Sequence, residues 1–305
     1  MTKKTKTYSF GSSRKESHDS SDFYKRFDSR AEKNEFMINA LTESNTIYIK
    51  NSTSMRELPD NSIALVVTSP PYYAGKEYES DTGLDHVPAS YAEYLENIEK
   101  VLRETFRVLE PGGRICINIA NLGRRPYRSL SAEVIQIMEK IGFLLRGEIL
   151  WIKAKGAGGS CAWGSYRSAV NPVLRDVSER IVVASKNRMD RAISIKEREK
   201  QGLPYKNTIS KEDFLTYTLD TWYIQPESAK KIKHPAPYPI KLVEKLIELY
   251  TFENDIILDP YIGSGTSAIA ALNTGRKFIG YEIEEKYVKL ALERIEASCK
   301  GSNLE

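Results

Sequence analysis

Two short runs in this 305-residue chain hold residue types that could do chemistry. The first is Thr68-Ser69-Pro70-Pro71-Tyr72, directly after the apolar Ile63-Ala64-Leu65-Val66-Val67. Its two prolines fix the backbone and remove two N–H donors. The Ser69 hydroxyl and the Pro70 carbonyl are then acceptors held in place, with Tyr72 as an aromatic face beside them. Such a set suits a planar base that bears an amino group: the ring stacks on the tyrosine and the amino protons meet the acceptors. Taken alone, the run also reads as a rigid Pro-Pro turn. The second run, Ile256-Ile257-Leu258-Asp259-Pro260-Tyr261-Ile262-Gly263-Ser264-Gly265-Thr266, is an apolar strand, a glycine turn and a helix start. Gly263 and Gly265 permit close approach of backbone to a ligand, and the helix end behind them offers free N–H groups and a positive dipole end. Nineteen residues beyond Gly263, Glu282 closes the next apolar stretch, Phe278-Ile279-Gly280-Tyr281. A carboxylate there can accept hydrogen bonds from both hydroxyls of a ribose.

The letters of the loop also satisfy the dinucleotide pattern G-x-G-x-x-G/A when Ala268 is counted. An acidic residue ahead of the glycines, Asp259, would however repel a pyrophosphate. A ligand with an ammonium group and no phosphate suits it better, and S-adenosylmethionine has that chemistry. A nicotinamide-dependent oxidoreductase on a related fold is the alternative. No paired cysteine spacing suggests zinc: Cys116, Cys161 and Cys299 are far apart and odd in number.

Elements that could position these runs alternate along the chain. Strands are expected at Thr46–Lys50, Ile63–Val67, Arg114–Ile119, Phe143–Trp151, Ile181–Ala184, Ile256–Leu258 and Lys277–Tyr281. Helices are expected at Ser90–Leu109, Ser131–Lys140 with Gly142 as its stop, Pro239–Tyr250, Thr266–Leu272 and Glu284–Ala297, with a turn at Glu110-Pro111-Gly112-Gly113. Alternation of this kind predicts an α/β fold, a mostly parallel twisted sheet with helices on both faces. Four stretches follow: 1–35, a basic tail, disordered or loosely attached; 36–185, carrying the Ser69 run; 186–220, a polar insert without periodicity; and 221–305, carrying the glycine loop.

Together the Ser-Pro-Pro-Tyr tetrapeptide and the Asp-Pro-Tyr-Ile-Gly-Ser-Gly-Thr loop resemble the amino-methylating DNA methyltransferases, and more narrowly their beta group, in which the catalytic motif precedes the cofactor motif. Further matching segments are Leu58 to Ser62, Glu110 to Gly113, Ala162 to Tyr166 with Asn171-Pro172, Glu179 before Ile181-Val182-Val183, and His234 to Pro239. The likeness spans roughly residues 45–298. It implies a Rossmann-like S-adenosylmethionine-dependent methyltransferase fold with circularly permuted motif order, S-adenosylmethionine as cofactor and double-stranded DNA as substrate. By position it implies that Ser69, Pro70, Pro71 and Tyr72 hold the target base. It assigns Thr68, Asp259, Pro260, Tyr261, Gly263, Ser264, Gly265 and Thr266 to the methionine part and Glu282 to the ribose. His234, Ala236 and Pro237 would close over the methionine end. Where the family usually has a Gly followed by Asp, this chain has Lys50 and Asn51, and the Asn51 amide would meet the purine edge. Members with Ser at the first motif position mostly act on cytosine N4, those with Asp or Asn mostly on adenine N6. Ser69 therefore points to N4-cytosine, with N6-adenine as the alternative. Cytosine C5 chemistry is not expected, because it needs a cysteine placed after a proline and none of the three has one. The resemblance also gives residues 186–220 the role of target-recognition insert and allows a cognate restriction endonuclease as partner.

Charge adds a place for DNA. The net +4 conceals 12 Lys and Arg against 5 Asp and Glu in residues 121–188, whereas residues 36–120 carry 7 against 12 and residues 241–305 carry 8 against 11. Localised positive charge suits a phosphate backbone, although a solvated basic face has the same composition. Arg124, Arg125, Arg128, Lys153, Lys155 and Arg167 are the candidate phosphate contacts, the latter three flanking the glycine-rich Gly156–Gly159. Without a membrane-length apolar run, a secretory signal or a metal-ligand cluster, the expectation is a reduced, cytoplasmic, metal-free protein.

Overall fold

The computed structural model describes residues 35–71, 90–121, 126–153, 164–174, 177–227, 232 and 238–301. Tyr72, Arg124, Arg125, Lys155, His234, Ala236 and Pro237 lie outside the described residues, as does nearly all of the expected tail. Among the described residues the order is β1 (Thr46–Ile49), β2 (Ile63–Thr68), α1 (Tyr91–Val108), β3 (Leu109–Ile119), α2 (Leu130–Ile141), β4 (Phe143–Ile152), β5 (Ser178–Lys186), α3 (Ile195–Lys200), α4 (Lys211–Tyr217), β6 (Thr221–Tyr223), α5 (Ile240–Tyr250), β7 (Ile256–Asp259), α6 (Thr266–Asn273), β8 (Lys277–Glu282) and α7 (Glu285–Gly301).

One sheet contains all eight strands in the order β1-β8-β7-β2-β3-β5-β4-β6. Strands β1, β8, β7, β2 and β3 run parallel, β5 is antiparallel to β3 and to β4, and β6 runs parallel to β4. Both faces are covered, which is why β2 is buried at every residue. Tyr94, Ile98, Val101 and Leu102 of α1 and Val134 and Met138 of α2 close one face over Val66, Ile115 and Ile117. Leu242, Val243, Leu246 and Ile247 of α5 and Ala268, Ala270 and Ala271 of α6 close the other over Leu65, Val67 and Cys116. Each fully buried aliphatic side chain stabilises the fold by about 1.5–3 kcal/mol relative to exposure.

Local signals behave as expected at most boundaries. The Ser90 hydroxyl caps α1 by accepting from the Glu93 N–H at 3.2 Å, and Gly142 ends α2 in the left-handed conformation at φ 116°. One expectation is corrected. Glu110 to Gly113 is not a free turn but lies within β3: Ile63 faces Leu109 while Leu65 faces Arg114, so the extra residues form a bulge. Gly112 takes φ 78° there, and a Cβ would meet the Asp190 carbonyl oxygen at 1.8 Å, so only glycine fits. The polar insert packs its first half under the starting ends of β3 and β7. Arg191 and Arg198 are buried against Glu110 and Asp255, and the Ala192 N–H donates to the Pro111 carbonyl at 3.2 Å. That is the end of the sheet opposite Ser69. Strand β6, a three-residue run not foreseen, forms the far edge of the sheet.

Candidate active site

The parallel strands β2 and β7 are a switch point, from which successive strands are added in opposite directions across the sheet. From β2 the chain crosses by α1 to β3 on one side, and from β7 by α6 to β8 on the other. In open α/β sheets, ligands bind in the crevice at the carboxyl ends of such a strand pair. Both sequence runs sit there, because Thr68 ends β2 and Asp259 ends β7. The Thr68 hydroxyl donates to Asp259 Oδ1 at 2.7 Å. Pro70, Thr68 and Ile117 on one side and Pro260 and Tyr261 on the other border a small apolar void beneath α1, with Ile98 and Val134 beside it.

Asp259 is 1% exposed and is surrounded by donors. Oδ1 also accepts from the Tyr261 N–H at 3.0 Å, and Oδ2 accepts from the Ser267 hydroxyl at 2.6 Å and the Tyr238 hydroxyl at 2.8 Å. Four donors fill the roughly four acceptor positions of a carboxylate. Burial still pushes its pKa above the ordinary range, with the four hydrogen bonds pulling the other way. Among the described residues none of these donors is a cation. Asp259 thus fastens β7 to β2, to Tyr238 and to α6, and presents negative charge without offering an open acceptor.

The glycine loop is braced from both sides. Gly263 donates its N–H to Glu282 Oε2 at 3.0 Å, and Glu282 Oε1 accepts from the Ile283 and Glu284 N–H groups at 2.9 and 3.0 Å. Three backbone donors leave Glu282 about one acceptor position, enough for one ribose hydroxyl. Burial raises the Glu282 pKa, and these backbone bonds offset it in part. Gly265, at φ 80°, caps α6; a Cβ would meet Ala291 Cβ of α7 at 2.9 Å, so this glycine serves helix packing. Arg294 of α7 donates to the Ser264 carbonyl and, at 2.8 Å, to the Ser264 hydroxyl. Asn51 follows β1, whose Ile49 is the register partner of Glu282; its Oδ1 accepts from the Thr53 N–H at 2.9 Å. An adenosine with a cationic amino-acid end fits these residues through the charge of Asp259, the last acceptor position of Glu282 and the Asn51 amide.

Tyr238, Ser267 and Arg294 are the residues that sequence reasoning missed. Ser267 adjoins Thr266, and Tyr238 lies within the His234-to-Pro239 segment without having been given a role there. Arg294 lies 30 residues from Ser264, and no local signal marks it.

The candidate phosphate contacts divide. Arg128 stands 3.9 Å over the Tyr91 ring. Lys153 forms an ion pair with Glu179, so its charge is engaged within the protein. Arg167, exposed and at φ 52°, belongs to a compact turn in which the Ser165 hydroxyl donates to the Ser168 carbonyl at 2.8 Å and accepts from the Asn171 N–H at 2.7 Å. Cys116 is fully buried in β3, and burial pushes its thiol pKa up, away from any nucleophilic role. Among the described residues no group of three His, Cys, Asp or Glu side chains could hold a metal, and no helix is long and apolar enough to cross a membrane.

An open sheet with acceptors after one switch-point strand and a glycine loop after its neighbour is the Rossmann-like fold of the DNA methyltransferases. Residues 63–293 match the N6/N4 family model described as DNA methylase, and the chain belongs to that family. It is 30% identical over 280 residues to the type II methyltransferase M.MthZI of Methanothermobacter thermautotrophicus, covering 84% of this chain and 78% of that one. TTHA0409 of Thermus thermophilus, solved complexed with S-adenosyl-L-methionine, superposes with a TM-score of 0.62 at 27% identity, over 83% of this chain and 95% of that one. The cytosine-N4-specific PvuII DNA methyltransferase shares the fold, with a TM-score of 0.61 at 20% identity over 85% and 92% of the two chains.

Proposed function

We propose that this DNA methyltransferase transfers a methyl group to the N4 amino group of a cytosine flipped out of double-stranded DNA, with Ser69, Pro70, Pro71 and Tyr72 holding the base. One observation carries the reading: the hydrogen bond from Thr68 to Asp259 joins the ends of the two switch-point strands, so the run that would hold the base and the loop that would hold the cofactor begin side by side. S-adenosylmethionine is the methyl donor and supplies, when bound, an electrophilic methyl group on a cationic sulfur. The chain's own residues do the rest by positioning. Asp259 sets a negative potential that favours a cationic ligand, Glu282 holds a ribose hydroxyl, and the Asn51 amide meets the purine edge. Backbone of Tyr261, Gly263, Ser264 and Thr266 lines the methionine part, and His234, Ala236 and Pro237 cover it.

An exocyclic amino group is a weak nucleophile because its lone pair is delocalised into the ring. Hydrogen bonds to the Ser69 hydroxyl and the Pro70 carbonyl favour a pyramidal nitrogen and stabilise the positive charge that develops on it. Proton loss to solvent then completes the transfer. Flipping costs a few kcal/mol, which stacking on Tyr72 helps offset. Ser69 at the first position of the tetrapeptide favours cytosine over adenine by the family resemblance. Arg124, Arg125, Arg128, Lys155 and Arg167 neutralise phosphates. Base reading lies with segments at the Ser69 end of the sheet, because the first half of the 186–220 insert is anchored at the opposite end. The type II name of M.MthZI extends the proposal to a cognate restriction endonuclease whose sites this protein protects.

Incubation with labelled S-adenosylmethionine and unmethylated DNA, followed by nucleoside analysis, tests the reading. N4-methylcytosine is expected, and Ser69→Ala should abolish its formation. N6-methyladenine would overturn the choice of base, and full activity of Ser69→Ala the assignment of the site.

A further inference from the structure

A hydroxyl can donate or accept, and Ser69 must accept from the target amino group for the proposed chemistry to work. Its own proton then needs a fixed destination. The sheet provides one. Thr68 pairs with Ile117 in the parallel β2–β3 register, so Ser69 and Asn118 are the next cross-strand positions. Side chains alternate between faces along a strand. Leu65 and Val67 share a face with Cys116, Ile181 and Trp151, and Ser69, Asn118, Glu179 and Lys153 continue that face at the end of four adjacent strands. Asn118 is 4% exposed and Glu179 is 7% exposed. Asn118 Nδ2 donates to Glu179 Oε2 at 2.5 Å, while Lys153 donates to Glu179 Oε1. The Lys153 backbone N–H donates to the Val177 carbonyl at 2.9 Å, which fixes the residue at the strand end, and its ammonium, besides pairing with Glu179, lies 5.1 Å from the Trp151 ring.

We propose that Asn118, Glu179 and Lys153 are positioning residues that set the hydrogen-bond polarity of Ser69. The inference rests on the reading of Ser69 as the acceptor for the target amino group. An ionised carboxylate accepts only, so Glu179 selects the NH2 end of the Asn118 amide and turns its Oδ1 end toward β2. With the base bound, Oδ1 accepts a hydrogen bond from the Ser69 O–H, which leaves the Ser69 lone pairs for the base. Lys153, ion-paired with Glu179, holds that carboxylate in place. No proton is transferred along the row; each member fixes the orientation of the next. Lys153, by composition a candidate phosphate contact, is thereby a member of the base site.

Steady-state methylation by the full-length protein tests this, using labelled S-adenosylmethionine and unmethylated plasmid DNA. Glu179→Gln restores amide ambiguity and should lower kcat by about tenfold or more, leaving KM for both substrates within about twofold. Asn118→Ala should do the same, and Glu179→Gln added to Asn118→Ala should cost nothing further, because Glu179 acts through Asn118. Lys153→Gln, on the more exposed member, should lower kcat without changing the salt dependence of DNA binding. It serves as the test if Glu179→Gln does not fold. Wild-type kcat in Glu179→Gln, or additive losses in the double variant, would overturn the row. So would a shallower salt dependence with intact kcat in Lys153→Gln. Full activity of Ser69→Ala would instead remove the reading on which the row rests, and is separable from these outcomes.

Discussion

Strand β7 has a buried aspartate at each end, and the two are held in opposite ways. Asp255, just before the strand, is 3% exposed and meets two cations: Arg191 at 3.1 Å and Arg198 at 3.4 Å. Glu110 shares both arginines, and Phe252 lies flat against them at 5.1 Å from each guanidinium. Two acids and two bases compensate one another. Asp259, four residues on, has only hydroxyls and a backbone N–H as partners among the described residues. A buried charge without a counter-ion is costly, and its raised pKa is the sign of that cost. The protein closes the balance at one end of the strand and leaves it open at the other, where we propose that the cationic cofactor binds.

Breaking the compensated end should have the largest effect on folding. Asp255→Ala leaves two buried guanidinium groups with one carboxylate between them, and should destabilise the fold by about 3–5 kcal/mol. Urea denaturation measures this, and a loss below about 1 kcal/mol would erase the difference between the two ends. Asp259→Asn should do the reverse. The amide keeps Oδ1 as acceptor for Thr68 and Tyr261, and the hydroxyls of Ser267 and Tyr238 can rotate to accept from Nδ2. Its denaturation midpoint should lie within about 1 kcal/mol of wild type, while S-adenosylmethionine binds about tenfold weaker or worse by calorimetry.

Acid titration sharpens the same contrast. A carboxyl whose folded pKa is raised holds its proton in the native state over a range where the unfolded chain is already ionised. Stability therefore falls as pH rises through that range, starting from about 3.9. Asp259→Asn lacks this loss, so its stability relative to wild type should increase as pH rises from the unfolded value, then level off above the folded one. Glu282 titrates in both proteins and cancels in the difference. An unchanged difference across that range would mean that Asp259 is compensated after all.

How far each end could be read in the sequence follows from the range of its interactions. The loop from Asp259 to Thr266 and the run from Thr68 to Pro71 are contiguous, and strand–turn–helix patterning places each at a strand end. That Thr68 would bond Asp259, 191 residues away, depends on β2 and β7 being neighbours, which no local pattern states. The opposite end was illegible for the same reason. Arg191 and Arg198 stand in a polar stretch that reads as an insert without periodicity, because their partners Glu110 and Asp255 are 81 and 57 residues away. The Glu110-to-Gly113 run misled differently: turn letters were absorbed into a strand as a bulge, since the neighbouring backbone of β2 was there to pair with.

Arg294 offers a smaller perturbation, at the cofactor end but behind the loop. It ties α7 to Ser264 and lies 3.4 Å from the Thr266 hydroxyl. Arg294→Ala removes charge-assisted bonds to the loop, so a loss of about 1–3 kcal/mol is expected in denaturation. Cofactor affinity should also fall several-fold, because the loop is no longer held in its binding shape. A change in stability with unaltered affinity would show that the loop keeps its shape without the brace.

The smallest effect should come from Arg167, the exposed candidate for DNA on a turn that its own hydrogen bonds hold together. One phosphate contact contributes little where the counter-ions of DNA are only partly released, and the guanidinium is already solvated in the free protein. Arg167→Ala should leave stability and S-adenosylmethionine binding unchanged. DNA affinity should weaken uniformly across sequences, and the slope of log affinity against log salt should fall by about 1. Loss of sequence preference without a change in slope would make Arg167 a reader of bases. No change in either would place the phosphate contacts elsewhere along the basic stretch. The turn would then have no part in the contrast between a charge-balanced end and an open one.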